Sequence, residues 1–477
     1  MINTPREFFW FLYLPLPLPL FLLFLPILIF GLVYRHSSRL QHNPHHYRTA
    51  APCRAILDGS RFPDSRKNQL EPYTARAIPN HRLHRAFGIE NAFTTGDKDE
   101  ARLLVHDVKT LITKSDVCDG WSELLSELYR VIVAIMEKTE AEAYAYGGTE
   151  TGTEIDVGDG QRIRLFLAPM VRALTLRVLL WVFFRRRNGS EIHARHLVDL
   201  GDSLHKTRIG MVAADEEGRR GGGGGKGGEI LDFRDNHDLQ SRLAALFPDW
   251  PCDIGDGRSN PLGLLLHGFE ALWPVILRMF IIILSHDDED WKVILTSFIQ
   301  KPTLTRFRIS HGKHGISAEH LVKEALRLYP PIRQIQRAFQ FPPSGASFEE
   351  YEQVTATADI EFCHIDPRVW GSDAQEFKPR RWRRISVVQN LSFLAFGSRP
   401  FLCAADPGSD FGLRVVGFVV GVLVDVFGKG DDVECELGSA DMEEMREVSE
   451  KTGKRLRNDL GCYQGVYVEY SAEEAVS

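Results

Sequence analysis

The stretch Ser317–Pro331, SAEHLVKEALRLYPP, opens on a serine able to cap a helix and closes on Pro330 and Pro331, which end one. Within it Glu324 and Arg327 stand three apart, which puts both side chains on one helix face and within ion-pair reach. Taken alone, such a pair is a solvated surface contact worth at most about 1 kcal/mol. The residues downstream give it a different meaning. Asp366–Gly371 (DPRVWG) leads to Phe377–Trp382 (FKPRRW), and then Phe396–Ala405 (FGSRPFLCAA) precedes another apolar, helix-like run.

Upstream, His267–Leu272 (HGFEAL) lies inside the apolar run Pro261–Ser285, and Phe166–Phe184 forms a second such run. Charges interrupt both: Arg172 and Arg177 in one, His267, Glu270 and Arg278 in the other. Each would cost about 2.5–3.5 kcal/mol at a bilayer centre, so both runs read as buried core helices. Trp273-Pro274 should bend the second. Further helices are expected over Lys98–Thr113, Ser122–Met136 and Asp287–Gln300, and a short strand late, at Gly465–Tyr470. The expected fold class is mainly α with a small β portion (α+β). No internal repeat is evident.

The chain of 477 residues is 44% hydrophobic and 25% charged, which excludes a disordered regulator, a fibre and a polytopic membrane protein. A net charge of −7 gives no basic field for nucleic acid. The 7 cysteines, at 53, 118, 252, 363, 403, 435 and 462, form no CxxC pair, which argues against a disulfide framework or structural zinc and for reduced thiols. Phe8 to Tyr34 carries no charge and is long enough to cross a bilayer. Arg35, Arg39 and Arg48 follow it and only Arg6 precedes it, which places the remainder on the cytosolic side. A cleaved secretory signal would need a short apolar core and a small-residue cleavage site, and neither is evident. Four prolines, Pro15, Pro17, Pro19 and Pro26, suit a kinked or partly interfacial segment. The expected organisation is a lumenal terminus at 1–7, an anchor at 8–34, a basic and polar linker at 35–50, and one large unit at 51–477. Within that unit 215–228, including GRRGGGGGKGG, reads as a low-complexity loop; Lys226 is followed by Gly227, not Ser or Thr, so it is no phosphate loop. Asn188-Gly189-Ser190 is a formal glycosylation sequon that would stay unmodified in the cytosol.

In the order and spacing of these motifs the chain resembles the cytochrome P450 family, of the membrane-anchored, fungal type. Glu324 and Arg327 match its ExxR pair, and Arg381 in PRRW the third member of its structural triad. Cys403 matches the haem-ligand cysteine and Phe396 the aromatic residue seven positions before it. His267–Leu272 matches the central-helix motif that crosses the distal face of haem. The resemblance is strong from about residue 260 to 425. It implies a cytochrome P450 fold, haem b with Cys403 as axial iron ligand, and a thiolate that favours O–O cleavage. It further implies a monooxygenase that inserts one oxygen atom from O2 into a lipophilic organic substrate. NADPH would act indirectly through NADPH–cytochrome P450 reductase, with cytochrome b5 as a further partner, docking near Arg380, Arg383 and Arg384. The implied setting is the endoplasmic reticulum membrane, single-pass, with a cytosolic catalytic domain, in secondary metabolism or detoxification.

Several positions depart from the family pattern. Arg399 replaces a glycine, and Phe401 replaces the cation that ordinarily binds a haem propionate, a role Arg399 could take over. Ala271 replaces the threonine that helps deliver protons to bound oxygen, leaving Glu270 as the acidic neighbour, either in a water chain or as a paired carboxylate. His267 replaces a small residue and would ligate iron, donate to oxygen or crowd the pocket. These departures leave two other readings open: a degenerate, non-catalytic haem-binding protein, and a P450-type isomerase or dehydratase that needs no reductase.

Overall fold

The structure is a computed structural model. It describes residues 45–146, 162–184, 192–220, 230–248, 257–286, 288–311, 315–342, 351–405, 410–428, 436–441, 443 and 455–471. Residues Tyr47–Ser477 belong to one unit, distinct from Met1–His46. The expected anchor at 8–34 and the sequon at Asn188 lie outside the described residues.

Among the described residues of the second unit, helices dominate, as expected, beside two small sheets. Helices Leu167–Phe184, Leu262–Ser285 and Phe411–Phe427 pack into one main core. The first two are apolar and long enough to cross a membrane, yet 78% and 67% of their most apolar windows are buried inside the protein. Their charges find protein partners. Arg172 binds Asp202 (2.7 Å) and Gln464 (2.7 Å), and Arg177 binds Glu127 (2.6 Å). Arg278 donates to the carbonyls of Arg457 (2.8 Å), Asp459 (2.8 Å) and Pro274 (3.1 Å), and the helix continues through Pro274. Helix Ala194–Arg220 carries through the first residues of the expected 215–228 loop, since AADEE continues a helix that only the following glycines disfavour; residues 221–229 lie outside the description.

Helix Phe411–Phe427, FGLRVVGFVVGVLVDVF, is rich in β-branched valine, and burial on nearly every side overrides that unfavourable propensity. Gly421 permits its close approach to helix Glu289–Gln300: a Cβ there would lie 2.5 Å from Ile299 Cγ2 and 2.9 Å from the Leu295 carbonyl.

One sheet joins Val466–Ser471, the strand expected late in the chain, to Glu436–Ser439 and to Arg162–Phe166, all antiparallel. Arg162–Phe166 comes from the opposite half of the sequence. In the other sheet, Gln334–Phe341 and Glu352–Asp359 form an antiparallel hairpin, in register from Gln334↔Asp359 to Phe341↔Glu352. Its apolar face, with Phe339 and Phe341, packs on Phe62, Cys53 and Cys363 as a second core. Replacing Gly421 with Ala should cost about 1–3 kcal/mol through overpacking, read as a lower urea-unfolding midpoint with unchanged helical circular dichroism.

Candidate functional site

Ser317 Oγ accepts from the His320 amide (3.4 Å) and caps helix Ala318–Leu328, as its sequence requires. The helix turns Glu324 and Arg327 fully inward, both at 0% exposure, so this pair is not the surface contact an isolated ExxR implies. Glu324 Oε1 accepts from Arg327 Nη2 (2.8 Å), Arg381 Nε (2.8 Å) and the Lys378 amide (2.9 Å). Its Oε2 accepts from Arg327 Nε (2.9 Å) and Trp382 Nε1 (2.9 Å). Arg327 spends its remaining donors on the carbonyls of His364 (2.7 Å), Ala374 (2.6 Å) and Glu376 (3.2 Å). A buried charge is tolerable only when its partners are this complete.

Beyond this network runs the cysteine segment. Gly397 sits at φ +77°, where a Cβ would lie 2.6 Å from the Phe401 carbonyl, so only glycine fits. The Phe401 amide donates to Ser398 O (2.7 Å) and the Cys403 amide to Phe396 O (3.0 Å), closing a tight loop that leaves Cys403 exposed. Phe396 packs edge-on against Phe393 at 5.9 Å. The following helix begins at Phe411, and Gly412 N donates back to Ala405 O (3.2 Å).

Among the described residues no contact joins Phe401 to an acid or to Arg399, which is exposed. Instead the guanidiniums of Arg76 (4.3 Å) and Arg337 (5.1 Å) lie over its ring, and Tyr73 meets it edge-on at 5.1 Å. Both arginines are buried, and neither has a carboxylate among the described residues. Arg76 donates to the Ala92 carbonyl and Arg337 to the Gln336 carbonyl, while the Nε of each is buried without a partner. Burial pulls the Arg76 pKa down to about 10, and burial reinforced by the charge of Arg76 pulls Arg337 down to about 9. Two like charges held together with unused donors have the chemistry to accept an anionic, multi-oxygen group.

The helix bearing the distal motif connects to this loop through one stack. His267 lies flat on Phe93 (3.6 Å between centroids), and Arg76 lies over Phe93 at 5.0 Å and over Phe401. Asn91 Nδ2, bonded to Gly263 O (2.9 Å), fixes the loop carrying Phe93 to that helix. Burial, then Arg76 and Arg208, lower the His267 pKa to about 3, so it is neutral, with Nδ1 unpartnered. Glu270 pairs with Arg208 at 3.0 Å; burial pushes its pKa up and Arg208 opposes that shift. Of the two sequence readings of Glu270, the paired carboxylate describes this geometry. Ala271, next to it, offers no hydroxyl.

Sequence reasoning missed Arg76, Phe93, Arg208 and Arg337. Only Arg337 carried a legible signal: in QIQRAFQF it shares the strand face of Ile335, Phe339 and Phe341, a charge in an apolar register.

The chain matches no protein-family model. Among curated proteins it is 34% identical over 268 residues to cytochrome P450 705A1 of Arabidopsis thaliana, covering 52% of this chain and 50% of that one. It is 22% identical over 394 residues to isoflavone 3'-hydroxylase of Medicago truncatula, covering 78% and 70%. Other matches are shorter: cytochrome P450 705A20 of Arabidopsis thaliana, 34% identical over 122 residues, is matched over 25% of this chain and only 23% of its own length. The solved structure of P450 OxyD, involved in the biosynthesis of vancomycin-type antibiotics, aligns over 89% of both chains at 14% identity and TM-score 0.46, too distant a likeness to argue from. The chain is thus similar to cytochrome P450 proteins, over about half its length at 34% identity and over a longer span at 22%.

Replacing Glu324 with Gln should cost about 3–5 kcal/mol, because it leaves Arg327 charged and buried without its counter-ion; the unfolding midpoint in urea measures it. A pH dependence arises from the histidines. Burial lowers His205 to about 4 and His267 and His364 to about 3, all below their unfolded values. Each stays neutral in the fold while the unfolded chain takes up protons. Their contribution is therefore complete above about pH 6.5 and is lost as pH falls toward 3. Urea midpoints should drop from pH 7 to pH 5, and drop less in His267→Phe.

Proposed function

We propose that this chain is a haem-thiolate monooxygenase that inserts one oxygen atom from O2 into a lipophilic organic substrate. The observation that carries this reading is the pair of buried guanidiniums, Arg76 and Arg337, unpaired by any described carboxylate and stacked on the loop that presents Cys403. These residues fit haem: Cys403 would bind the iron as thiolate, and Arg76 and Arg337 would take the propionate carboxylates in place of the cation that position 401 lacks. Haem bound in this way supplies the oxygen-activating iron. The chain's own residues do the rest. Phe401 and Phe93 hold the two guanidiniums in place by cation–π contact. His267, neutral and stacked on Phe93, narrows the distal side without contributing charge. Glu270 holds a proton more readily than an ordinary carboxylate, and Arg208 fixes its position. Ala271 offers no hydroxyl, and Glu270, paired with Arg208, serves to fix charge on this helix.

On this reading residues 8–34 anchor the chain in the endoplasmic reticulum membrane with the catalytic domain in the cytosol. Electrons come from NADPH through NADPH–cytochrome P450 reductase, docking at the face where Arg380, Arg383 and Arg384 are exposed. A P450-type isomerase or dehydratase is the second reading, favoured by the lack of a hydroxyl at Ala271.

The test combines purified full-length protein, haem and reductase. Wild type should retain haem and consume NADPH and O2; Cys403→Ser should consume neither. Arg76→Leu and Arg337→Leu should each weaken haem retention about tenfold or more through loss of a charge-assisted bond. Haem binding without NADPH-dependent O2 uptake would favour the isomerase reading, and wild type that takes up no haem would overturn both.

A further inference from the structure

One buried imidazole lies between the Glu324 network and the cysteine segment. His364, at 0% exposure, has Nδ1 3.1 Å from the Arg327 carbonyl, while its Nε2 accepts from the Leu394 amide at 2.8 Å. A backbone amide can only donate, so Nε2 carries no proton and Nδ1 carries it. The contact with Arg327 is reciprocal, because Arg327 Nη1 donates to the carbonyl of His364 itself at 2.7 Å. On the other side Leu394 O accepts from Gly397 N (3.0 Å), and Phe396 O accepts from Cys403 N (3.0 Å). A parallel aromatic route closes the ring: His364 stacks on Phe393 (5.2 Å, 28°), and Phe393 meets Trp382, which donates to Glu324.

We infer that His364 is a positioning residue that, as the Nδ1–H tautomer, fixes residues 394–403 against the buried Glu324–Arg327 pair and so sets where Cys403 stands. Hydrogen bonds at both ring nitrogens leave the imidazole one orientation, and the loop inherits that orientation through a single amide. This role rests on the haem-thiolate reading for its purpose but not for its geometry, which is a property of the protein chain.

Two substitutions separate the ring's two bonds. In His364→Gln the side-chain oxygen reaches the position of Nε2 and can still accept from Leu394. In His364→Asn the shorter amide can donate to Arg327 but falls short of Leu394. Amide hydrogen exchange on the full-length chain is the readout. His364→Asn should speed exchange of Leu394, Gly397 and Cys403 about tenfold or more, the equivalent of one buried hydrogen bond, with helix Ala318–Leu328 still protected. His364→Gln should stay within about threefold of wild type, because the bond to Leu394 survives. Equal exchange across 394–403 in both variants, or acceleration in Gln as large as in Asn, would overturn the inference. Haem content of the same samples keeps the two ideas apart. Wild type that takes up no haem defeats the proposed function while the exchange pattern still decides His364, and haem uptake with no exchange difference defeats the positioning role alone.

Discussion

A single carboxylate without solvent organises the second half of this chain. Glu324 receives five donors, from Arg327, Arg381, Trp382 and the Lys378 amide, and together these compensate the desolvation of its charge. Because those donors come from helix Ala318–Leu328 and from the segment around Lys378–Trp382, satisfying the charge forces the two together. Arg327 then recruits the carbonyls of His364, Ala374 and Glu376, which immobilises the turn between them. Irregular chain is thereby held at three of its carbonyls. The loop of Cys403 is built outward from that fixed point.

The cysteine loop departs from the cytochrome P450 pattern it resembles in a physically coherent way. An aromatic ring at 401 cannot bind an anion, but it can hold cations, and it holds two. Bringing Arg76 and Arg337 together in a buried place is unfavourable on its own, as their lowered pKa values express. The arrangement becomes favourable once an anionic group supplies the missing counter-charge. Arg399, the sequence's nearer candidate for that role, is exposed.

Much of this was legible in the sequence where the signal is local. The Ser317 cap, the three-residue spacing of Glu324 and Arg327, and the buried helices with internal arginines follow from helical geometry and desolvation. The order of motifs placed Arg381 and Cys403. What stayed hidden depends on segments far apart in the chain: Phe93 under His267, Arg208 across from Glu270, and His364 between Arg327 and Leu394. Strand Arg162–Phe166 was likewise invisible, since its partner lies about 300 residues away. So was the approach of the Cys53 and Cys363 sulfurs to 3.5 Å, two residues that read singly as packing. Sequence pattern shows which side chains are buried; only the fold shows beside what.

Under the proposed function, the buried ion network and the paired arginines serve a haem held by Cys403. The visible spectrum of the purified, haem-loaded protein after reduction and addition of CO tests this most directly. The red-shifted band of a thiolate-ligated haem is expected in wild type, and its loss in Cys403→Ser. A histidine-type band in wild type, or an identical spectrum in the two proteins, would contradict it.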